Sequence, residues 1–215
     1  LSTNKNLDEL IKQTNIFRVK NIIISNKKSY QKAKKIFKNK KINIYENFEN
    51  LNYVFKNKKI DYVMSSISGL AGLRPTINII EFCKIIAIAN KESIICAWDL
   101  IKKRLNKFKT KFIPVDSEHF SIWSLLSNND LKSVKKIHIT ASGGPFINYN
   151  LNQFKKIKIK DALKHPNWSM GKKISIDSAT MMNKVFEVIE TNRIFDIDYK
   201  NISILSHKKS YLHAI

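Results

Sequence analysis

The sequence is poor in cysteine, in acidic residues and in long apolar runs. Only two cysteines, Cys83 and Cys96, occur among 215 residues, and there is no Cys-x-x-Cys pair. This excludes a disulfide framework and a thiolate zinc site, and it is typical of a protein from a reducing compartment. Apolar stretches such as 85–89 are far shorter than the roughly 20 residues that cross a bilayer. We therefore expect a soluble protein without a membrane partner.

Acidic residues are outnumbered, with 17 Asp and Glu against 39 Lys and Arg, which gives a net charge of +22. Such an excess is typical of nucleic-acid binding. However, 35 of the basic residues are lysines and only four are arginines, whereas base and phosphate recognition favours the forked guanidinium. Lysine, asparagine and isoleucine, all with AT-rich codons, dominate together throughout the chain. We attribute most of the charge to an AT-rich genome and expect no nucleic-acid partner, although a weak attraction for anionic substrates remains.

The first half of the chain alternates apolar runs with helical segments. A hydrophobic content of 43% is enough for a buried core. We predict strands at 18–25, 62–67 and 85–89, with helices at 7–14 and 29–38. Continuous isoleucine-rich strands between helices indicate a parallel sheet covered on both faces, an α/β fold. Ligands bind at the carboxyl ends of such strands, where 66–72 and 90–93 fall.

The second half has a different pattern. Strands are predicted at 111–115 and 137–140 and a helix at 179–195, with a Gly-Gly-Pro turn and a basic connection between them. The change of pattern places a domain boundary near 108–112.

Two acidic motifs are candidates for a cation site. Asp116 and Glu118 follow a predicted strand, and in an extended segment both side chains lie on one face, where they can hold a hard cation. A solvated acidic loop is the alternative. In the second motif Asp177 or Ser178 is a good N-cap, and an apolar stripe with helical spacing follows at Met181, Val185, Val188 and Ile189.

Three polar residues, Asn183, Lys184 and Glu187, lie on the face beside that stripe and can converge on one ligand. A surface Lys–Glu pair is the alternative. Ser142-Gly143-Gly144 is a turn that allows close approach to a bound group, or an ordinary tight turn. Apolar Trp168 and Met170 on the polar loop 165–171 indicate either a lid over a ligand or a buried anchor.

Five motifs occur in a characteristic order, at 89–93 (ANKES), 114–119 (PVDSEH), 142–146 (SGGPF), 165–171 (HPNWSMG) and 177–184 (DSATMMNK). Together they resemble the 1-deoxy-D-xylulose 5-phosphate reductoisomerase family, over nearly the whole chain and more loosely over 1–60. The resemblance implies a Rossmann-like NADPH-binding domain at 1–110. An α+β catalytic domain follows at 111–215, with a flap at 165–171, and both domains are incomplete.

The resemblance also implies roles for individual residues. Divalent-metal ligands would be Asp116, Glu118 and Glu187, which together with Lys91 form the catalytic set. Substrate-binding residues would be Lys91, Ser117, Glu118, Ser142, His165, Ser178, Asn183, Lys184 and Glu187. Cofactor-binding residues would be Lys5, Asn6, Asn90, Glu92 and Gly171. Flap residues would be Trp168 and Met170.

The implied activity is the rearrangement and NADPH-dependent reduction of 1-deoxy-D-xylulose 5-phosphate to 2-C-methyl-D-erythritol 4-phosphate in non-mevalonate isoprenoid synthesis. Mg²⁺ or Mn²⁺ would be the metal, with Co²⁺ as a further candidate. The family is usually dimeric, so a homodimer is expected for the full-length protein. Its location would be the cytoplasm of an AT-rich bacterium, with the plastid of a parasite as the alternative.

Several positions depart from the family pattern. The Gly-rich phosphate loop is expected upstream of Leu1, Asn4 stands at a usual glycine, and Val185-Phe186 replaces Gly-Leu. The match stops at 207–210, where HKKS replaces HPQS. We therefore expect the chain to be a central portion without full activity of its own. An RNA-binding remnant and a catalytically degenerate chain kept as an interaction partner are the alternatives.

Overall fold

The computed structural model describes residues 1–49, 51–55, 58–127, 133–166 and 169–215. Strands and helices alternate along most of this part of the chain. The strands are β1 Ser2–Thr3, β2 Asn21–Ile24, β3 Asn43–Tyr45, β4 Ile60–Ser65, β5 Cys83–Ile88, β6 Lys111–Pro114, β7 Ile137–Ala141 and β8 Ile202–Ser206. The helices are α1 Leu7–Ile16, α2 Lys27–Ile36, α3 Leu51–Phe55, α4 Leu73–Ile79, α5 Lys91–Phe108, α6 Ser117–Leu126, α7 Leu151–Phe154, α8 Ile159–Ala162, α9 Lys172–Ala179 and α10 Met182–Phe195.

The amino-terminal layer is a parallel sheet in the order β1-β2-β3. Asparagine caps begin its helices: Asn6 accepts a hydrogen bond from the Glu9 amide at α1, and Asn26 from the Ser29 amide at α2. Ile22 and Ile24 of β2 are buried against the apolar faces of α1 and α2, whereas Ile23 packs with Leu51 of α3 and Phe82. The strand predicted at 18–25 and the helices predicted at 7–14 and 29–38 are confirmed, with slightly different ends.

The second layer is a parallel sheet in the order β4-β5-β6. Its central strand β5 buries Ile86 and Ile88 against Trp98 and Ile101 of α5. Because β6 pairs with β5 from Ile85↔Lys111 to Ile88↔Pro114, this sheet continues across the boundary predicted at residue 110. The domain boundary itself stays a prediction.

The third layer is the parallel pair β7-β8, extended by the chain end, where Ala214 bridges Ile139 in antiparallel orientation. The side chains of Ile139, Phe195 and Ile202 pack together in its core, against Ile122 of α6. The predicted α/β class with parallel sheets is confirmed. Among the described residues, no helix combines the length and apolar composition needed to span a membrane.

Candidate active site

A cavity of about 230 Å³ lies between the first turn of α6, the loop after β7, α9, α10 and the end of the chain. It collects ten of the residues predicted for function: Asp116, Ser117, Glu118, Ser142, His165, Met170, Ser178, Asn183, Lys184 and Glu187. Lys91, Asp116 and Ser142 each follow the carboxyl end of a strand, β5, β6 and β7 respectively. The strand ends predicted to bind ligands were 66–72 and 90–93. Lys91 of the second segment lies beside Asp116, but no residue of 66–72 lines the cavity.

Three carboxylates converge in this cavity, from Asp116, Glu118 and Glu187, with oxygen atoms within 4.8 Å of one another. The reason predicted for this convergence is wrong, because the segment is not extended. Asp116 is instead the N-cap of α6 and accepts a hydrogen bond from the Glu118 amide at 3.3 Å. The start of α6 places Glu118 beside its N-cap Asp116, and α10 supplies Glu187 from the other side.

Two lysines bring positive charge to the carboxylates. The Nζ atom of Lys184 lies 2.5 Å from Oε1 of Glu118 and 2.6 Å from Oε2 of Glu187. Lys91 lies 3.9 Å from Oδ2 of Asp116 and donates a hydrogen bond to Asn183, which in turn donates to Glu187. The predicted convergence of Asn183, Lys184 and Glu187 is thus present.

The surroundings shift the pKa values of these groups. Burial, with the neighbouring carboxylates Glu118 and Asp116, raises the pKa of Glu187 to about 8, although Lys184 opposes the shift. Burial alone would raise the pKa of Asp116, but contact with His119 and the charge of Lys91 hold that pKa below its usual value. Burial lowers the pKa of Lys184, but Glu187 and Glu118 outweigh it and raise that pKa. A further positive charge beside Glu187, in addition to Lys184, would therefore favour its ionised form.

The donor set fits a hard divalent cation. All three ligand groups are carboxylates, which Mg²⁺ and Mn²⁺ prefer, and their oxygen atoms are close enough to share one ion. A cation bound between Glu118 and Glu187 would compete with the Lys184 ammonium, which already contacts both carboxylates.

The helix predicted to begin at Asp177 or Ser178 begins later, and that prediction is wrong. Asp177 and Ser178 belong to the last turn of α9, and Met181, with φ of 60°, separates α9 from α10. The apolar stripe predicted on this helix does not face the core throughout, since Met181 and Val185 are 42% and 46% exposed. The buried face of α10 instead carries Lys184, Glu187 and Glu190.

Gly144 permits the loop after β7 to approach α9 closely. A Cβ at this position would lie 2.8 Å from the Ser178 carbonyl oxygen and 3.0 Å from the Ala179 Cα. Gly143 has φ of +88°, a conformation that glycine adopts without strain. These glycines bring Ser142 and Ser178 into the same cavity.

The predicted cofactor residues lie away from the cavity. Lys5 and Asn6 stand at the start of α1, and Asn90 caps α5 while donating to the carbonyls of Ile67 and Gly69. Glu92 pairs with Lys173 of α9 at 3.1 Å, and Gly171 is the N-cap of α9. Their cofactor role stays a prediction.

The predicted flap is described in part. His165 and Met170 line the cavity, and burial lowers the pKa of His165. Trp168, on which the lid hypothesis depends most, lies outside the described residues. The lid stays a prediction.

Four residues near the site were given no role from sequence: His119, Glu190, Ser210 and His213. Ser210 and His213 line the cavity, whereas His119 and Glu190 are buried behind its carboxylates. The three-residue spacing between Glu187 and Glu190 on one helix was the available signal for Glu190. Ser210 stands at the serine of the family's HPQS pattern, which was the available signal for it, whereas no sequence pattern pointed to His213.

Comparisons with known proteins agree with this geometry. The family models "1-deoxy-D-xylulose 5-phosphate reductoisomerase" and "1-deoxy-D-xylulose 5-phosphate reductoisomerase C-terminal domain" match residues 1–98 and 112–195. The 1-deoxy-D-xylulose 5-phosphate reductoisomerase of Pelagibacter ubique is 62% identical over 100% of this chain and 56% of the relative. That of Clostridium tetani is 40% identical with the same coverage.

Solved structures give the same result. DOX-P reductoisomerase in complex with NADPH, fosmidomycin and magnesium superposes with a TM-score of 0.88 at 34% identity. The enzyme from Zymomonas mobilis in complex with NADPH also gives 0.88, at 33% identity. Both matches cover 100% of this chain and 55% of the other, so the chain spans little more than half the length of its relatives. The chain belongs to the 1-deoxy-D-xylulose 5-phosphate reductoisomerase family.

Proposed function

We propose that this chain supplies the metal and substrate centre of an NADPH-dependent enzyme. Its reaction would convert 1-deoxy-D-xylulose 5-phosphate into 2-C-methyl-D-erythritol 4-phosphate. One observation carries the proposal: Asp116, Glu118 and Glu187 converge in a cavity that also contains Lys184 and Asn183. A lone surface Lys–Glu pair does not account for three carboxylates from two helices that meet at one point.

Asp116, Glu118 and Glu187 would hold the divalent cation. When bound, Mg²⁺ or Mn²⁺ would supply Lewis-acid stabilisation of negative charge on the substrate oxygens during rearrangement and reduction. Glu187, whose pKa burial raises to about 8, would ionise fully beside the positive charge.

The phosphate group would bind to polar side chains that line the same cavity. Ser142, Ser178, Asn183 and Lys184 line the cavity from three elements and offer hydroxyl, amide and ammonium donors. Lys184 would exchange its contacts with Glu118 and Glu187 for the phosphate when a divalent cation neutralises the carboxylates. Contacts to a group remote from the reacting carbons provide binding energy for orientation.

The remaining predicted roles extend this proposal. Lys91 would hold the substrate beside the cation, and Ser117, which donates to Glu118 at 2.6 Å, would orient that ligand. His165 and Met170, with Trp168, would close over the substrate and exclude water. NADPH, which two related solved structures contain, would contact Lys5, Asn6, Asn90, Glu92 and Gly171.

The proposed organisation is an NADPH-binding part at 1–110 and a catalytic part at 111–215, in a homodimer of the full-length protein and in a cytoplasmic setting. The bacterial relatives named above support the last point. They also favour the reductoisomerase over the RNA-binding and degenerate alternatives, because each carries that enzyme's name.

The test has two parts. One measures ion binding by the 215-residue chain, and the other assays the protein encoded by the complete reading frame. Asp116→Asn and Glu187→Gln should weaken Mn²⁺ binding, measured by electron paramagnetic resonance. Asp61→Asn, an exposed carboxylate paired with Lys84, is the matched control and should bind like wild type. The complete protein should oxidise NADPH only with 1-deoxy-D-xylulose 5-phosphate and Mg²⁺ present. Failure of that oxidation by a folded protein would refute the proposal.

A further inference from the structure

A polar layer of two buried residues lies behind the three carboxylates. It consists of His119 on α6 and Glu190 on α10, which are 0% and 1% exposed. Neither residue lines the 230 Å³ cavity, so neither has direct access to a substrate there. Polar groups this deeply buried are costly unless their interactions compensate for lost hydration.

His119 connects two elements that carry the proposed metal ligands. Its Nε2 atom lies 3.0 Å from the main-chain carbonyl oxygen of Glu187. Because a carbonyl oxygen only accepts, Nε2 carries the hydrogen and donates. Its other nitrogen, Nδ1, lies 3.4 Å from Oδ1 of Asp116. One imidazole thus spans from the N-cap of α6 to the main chain of α10.

Glu190 completes the layer one helical turn beyond Glu187. The ligand atoms of Asp116, His119 and Glu190 lie within 4.8 Å of one another. Among the described residues, Oε2 of Glu190 and Nδ1 of His119 have no hydrogen-bond partner that meets geometric criteria. These groups therefore face one another and Asp116 in a closed space, with few alternatives for their orientation.

This layer has no room for substrate and little for an ion of its own. The cavity that Asp116, His119 and Glu190 border has a volume of about 10 Å³, at the lower limit for a single water molecule. A hydrated cation does not fit there without rearrangement of the helices. Residues in this position do not bind the metal themselves. They contact the metal ligands, fix their orientation and so set the metal affinity.

Building on the proposed metal site, we propose that His119 and Glu190 are positioning residues that hold Asp116 and the main chain of Glu187 in register for one divalent cation. They do not contact the ion. Their contribution is to fix α6 against α10, so that carboxylates from two helices present their oxygens at one point.

The experiment measures Mn²⁺ affinity and stoichiometry on the 215-residue chain by electron paramagnetic resonance. His119→Gln keeps a donor for the Glu187 carbonyl but removes the contact with Asp116. His119→Asn keeps a group near Asp116 but removes the donor for the Glu187 carbonyl. Glu190→Leu removes the buried carboxylate that faces His119 and Asp116. Each variant should bind a single Mn²⁺ with affinity about 10–100-fold weaker than wild type.

The control separates positioning from general loss of stability. Thr76→Val removes a buried hydroxyl of α4 that contacts Ser65 at 2.6 Å and lines neither of the two cavities. It should lower the unfolding midpoint and leave Mn²⁺ affinity unchanged. Unchanged affinity in the His119 and Glu190 variants would overturn the inference and leave the metal site intact.

Two further outcomes are decisive. Two Mn²⁺ per wild-type chain, falling to one in the variants, would overturn the inference and assign the layer to a second ion. Absence of Mn²⁺ binding by the folded wild-type chain would refute the proposed metal site itself, and the inference with it.

Discussion

Lys184 lies between two carboxylates that are also the proposed ligands of a cation. It is 8% exposed, and its ammonium contacts both Glu118 and Glu187. A divalent cation at the same carboxylates must displace this ammonium or share them with it. Lysine and metal therefore compete electrostatically, and the displaced lysine becomes available for an anionic substrate.

Replacing this lysine should strengthen ion binding while weakening anion binding. In Lys184→Met the stem is retained and the competing charge is lost, so Mn²⁺ affinity should rise about tenfold, or ~1.4 kcal/mol. Isothermal titration with Mn²⁺ and then with inorganic phosphate measures both effects. Lys173→Met is the control, because that lysine pairs with Glu92 and Asp177 and touches none of the three ligands. Weaker Mn²⁺ binding in Lys184→Met would contradict the competition.

Gly144 should tolerate no side chain, since the atoms that a Cβ would meet belong to the main chain of α9. Gly144→Ala should lower the free energy of unfolding by about 1–3 kcal/mol, as overpacked sites do. Urea denaturation measures the change. Gly171→Ala is the comparison, because a Cβ there has no neighbour within 4 Å, and its loss should be smaller. Equal losses would show that the β7 loop does not need its close approach to α9.

At the scale of elements, the break between α9 and α10 determines which side chains of α10 face the cavity. Met181 adopts φ of 60° there, and the next residue begins α10. The left-handed region costs a residue with a side chain roughly 1–2 kcal/mol. The change of direction turns Asn183, Lys184 and Glu187 toward the cavity instead of continuing the line of α9.

Glycine should be accepted at this break and rejected one residue later. Met181→Gly relieves the backbone strain, which offsets the added flexibility of the unfolded chain, so stability should change by less than about 1 kcal/mol. Met182→Gly, in the first turn of α10 and similarly exposed, should lose about 1 kcal/mol. Thermal unfolding followed by circular dichroism compares the two. A larger loss in Met181→Gly would argue against strain at this position.

The same elements show which parts of the structure were predictable from sequence. Strand β5 was found because an unbroken isoleucine-rich run fits only a buried environment. Helix α10 was found, but its orientation was not, because an amphipathic pattern assumes that the apolar face is buried. Here the site buries the charged face, with Glu187 and Glu190 inside and Val185 outside. Asp116 and Glu118 were paired correctly, although the local sequence did not distinguish a helix cap from an extended strand.

At the scale of the whole molecule, the +22 charge and the buried acidic cluster have opposite signs. Most lysines lie on exposed surfaces, whereas Glu187 and Glu190 are buried. The surface charge attracts small anions over distances of about 8–10 Å at moderate salt. The buried carboxylates, in contrast, make the stability of the chain depend on pH.

Three buried groups have pKa values above their ordinary ones, so all three change the stability in the same direction as pH rises. Burial, with Asp116 as a further cause, raises the pKa of Glu190 to about 7, although His119 opposes the shift. Burial and neighbouring carboxylates raise the pKa of Glu187 to about 8. Burial lowers the pKa of His119, but contact with Asp116 and the charge of Glu190 outweigh it and raise that pKa to about 9. Between the ordinary pKa values and these, the folded chain binds more protons than the unfolded chain.

Stability should therefore fall as pH rises from about 5 to about 9, because unfolding then releases protons. The lowered pKa of Asp116 affects stability only below this pH range. There the stabilising contribution of the ionised Asp116 is lost as the carboxylate becomes protonated. Urea denaturation in EDTA measures the slope. In Glu190→Gln the decline between about pH 5 and pH 7 should be shallower, whereas Asp61→Asn, exposed on the surface, should follow wild type above pH 5. Stability that stays constant over this interval would mean that the buried carboxylates ionise in the folded chain at their ordinary pKa values, without the burial that defines the site.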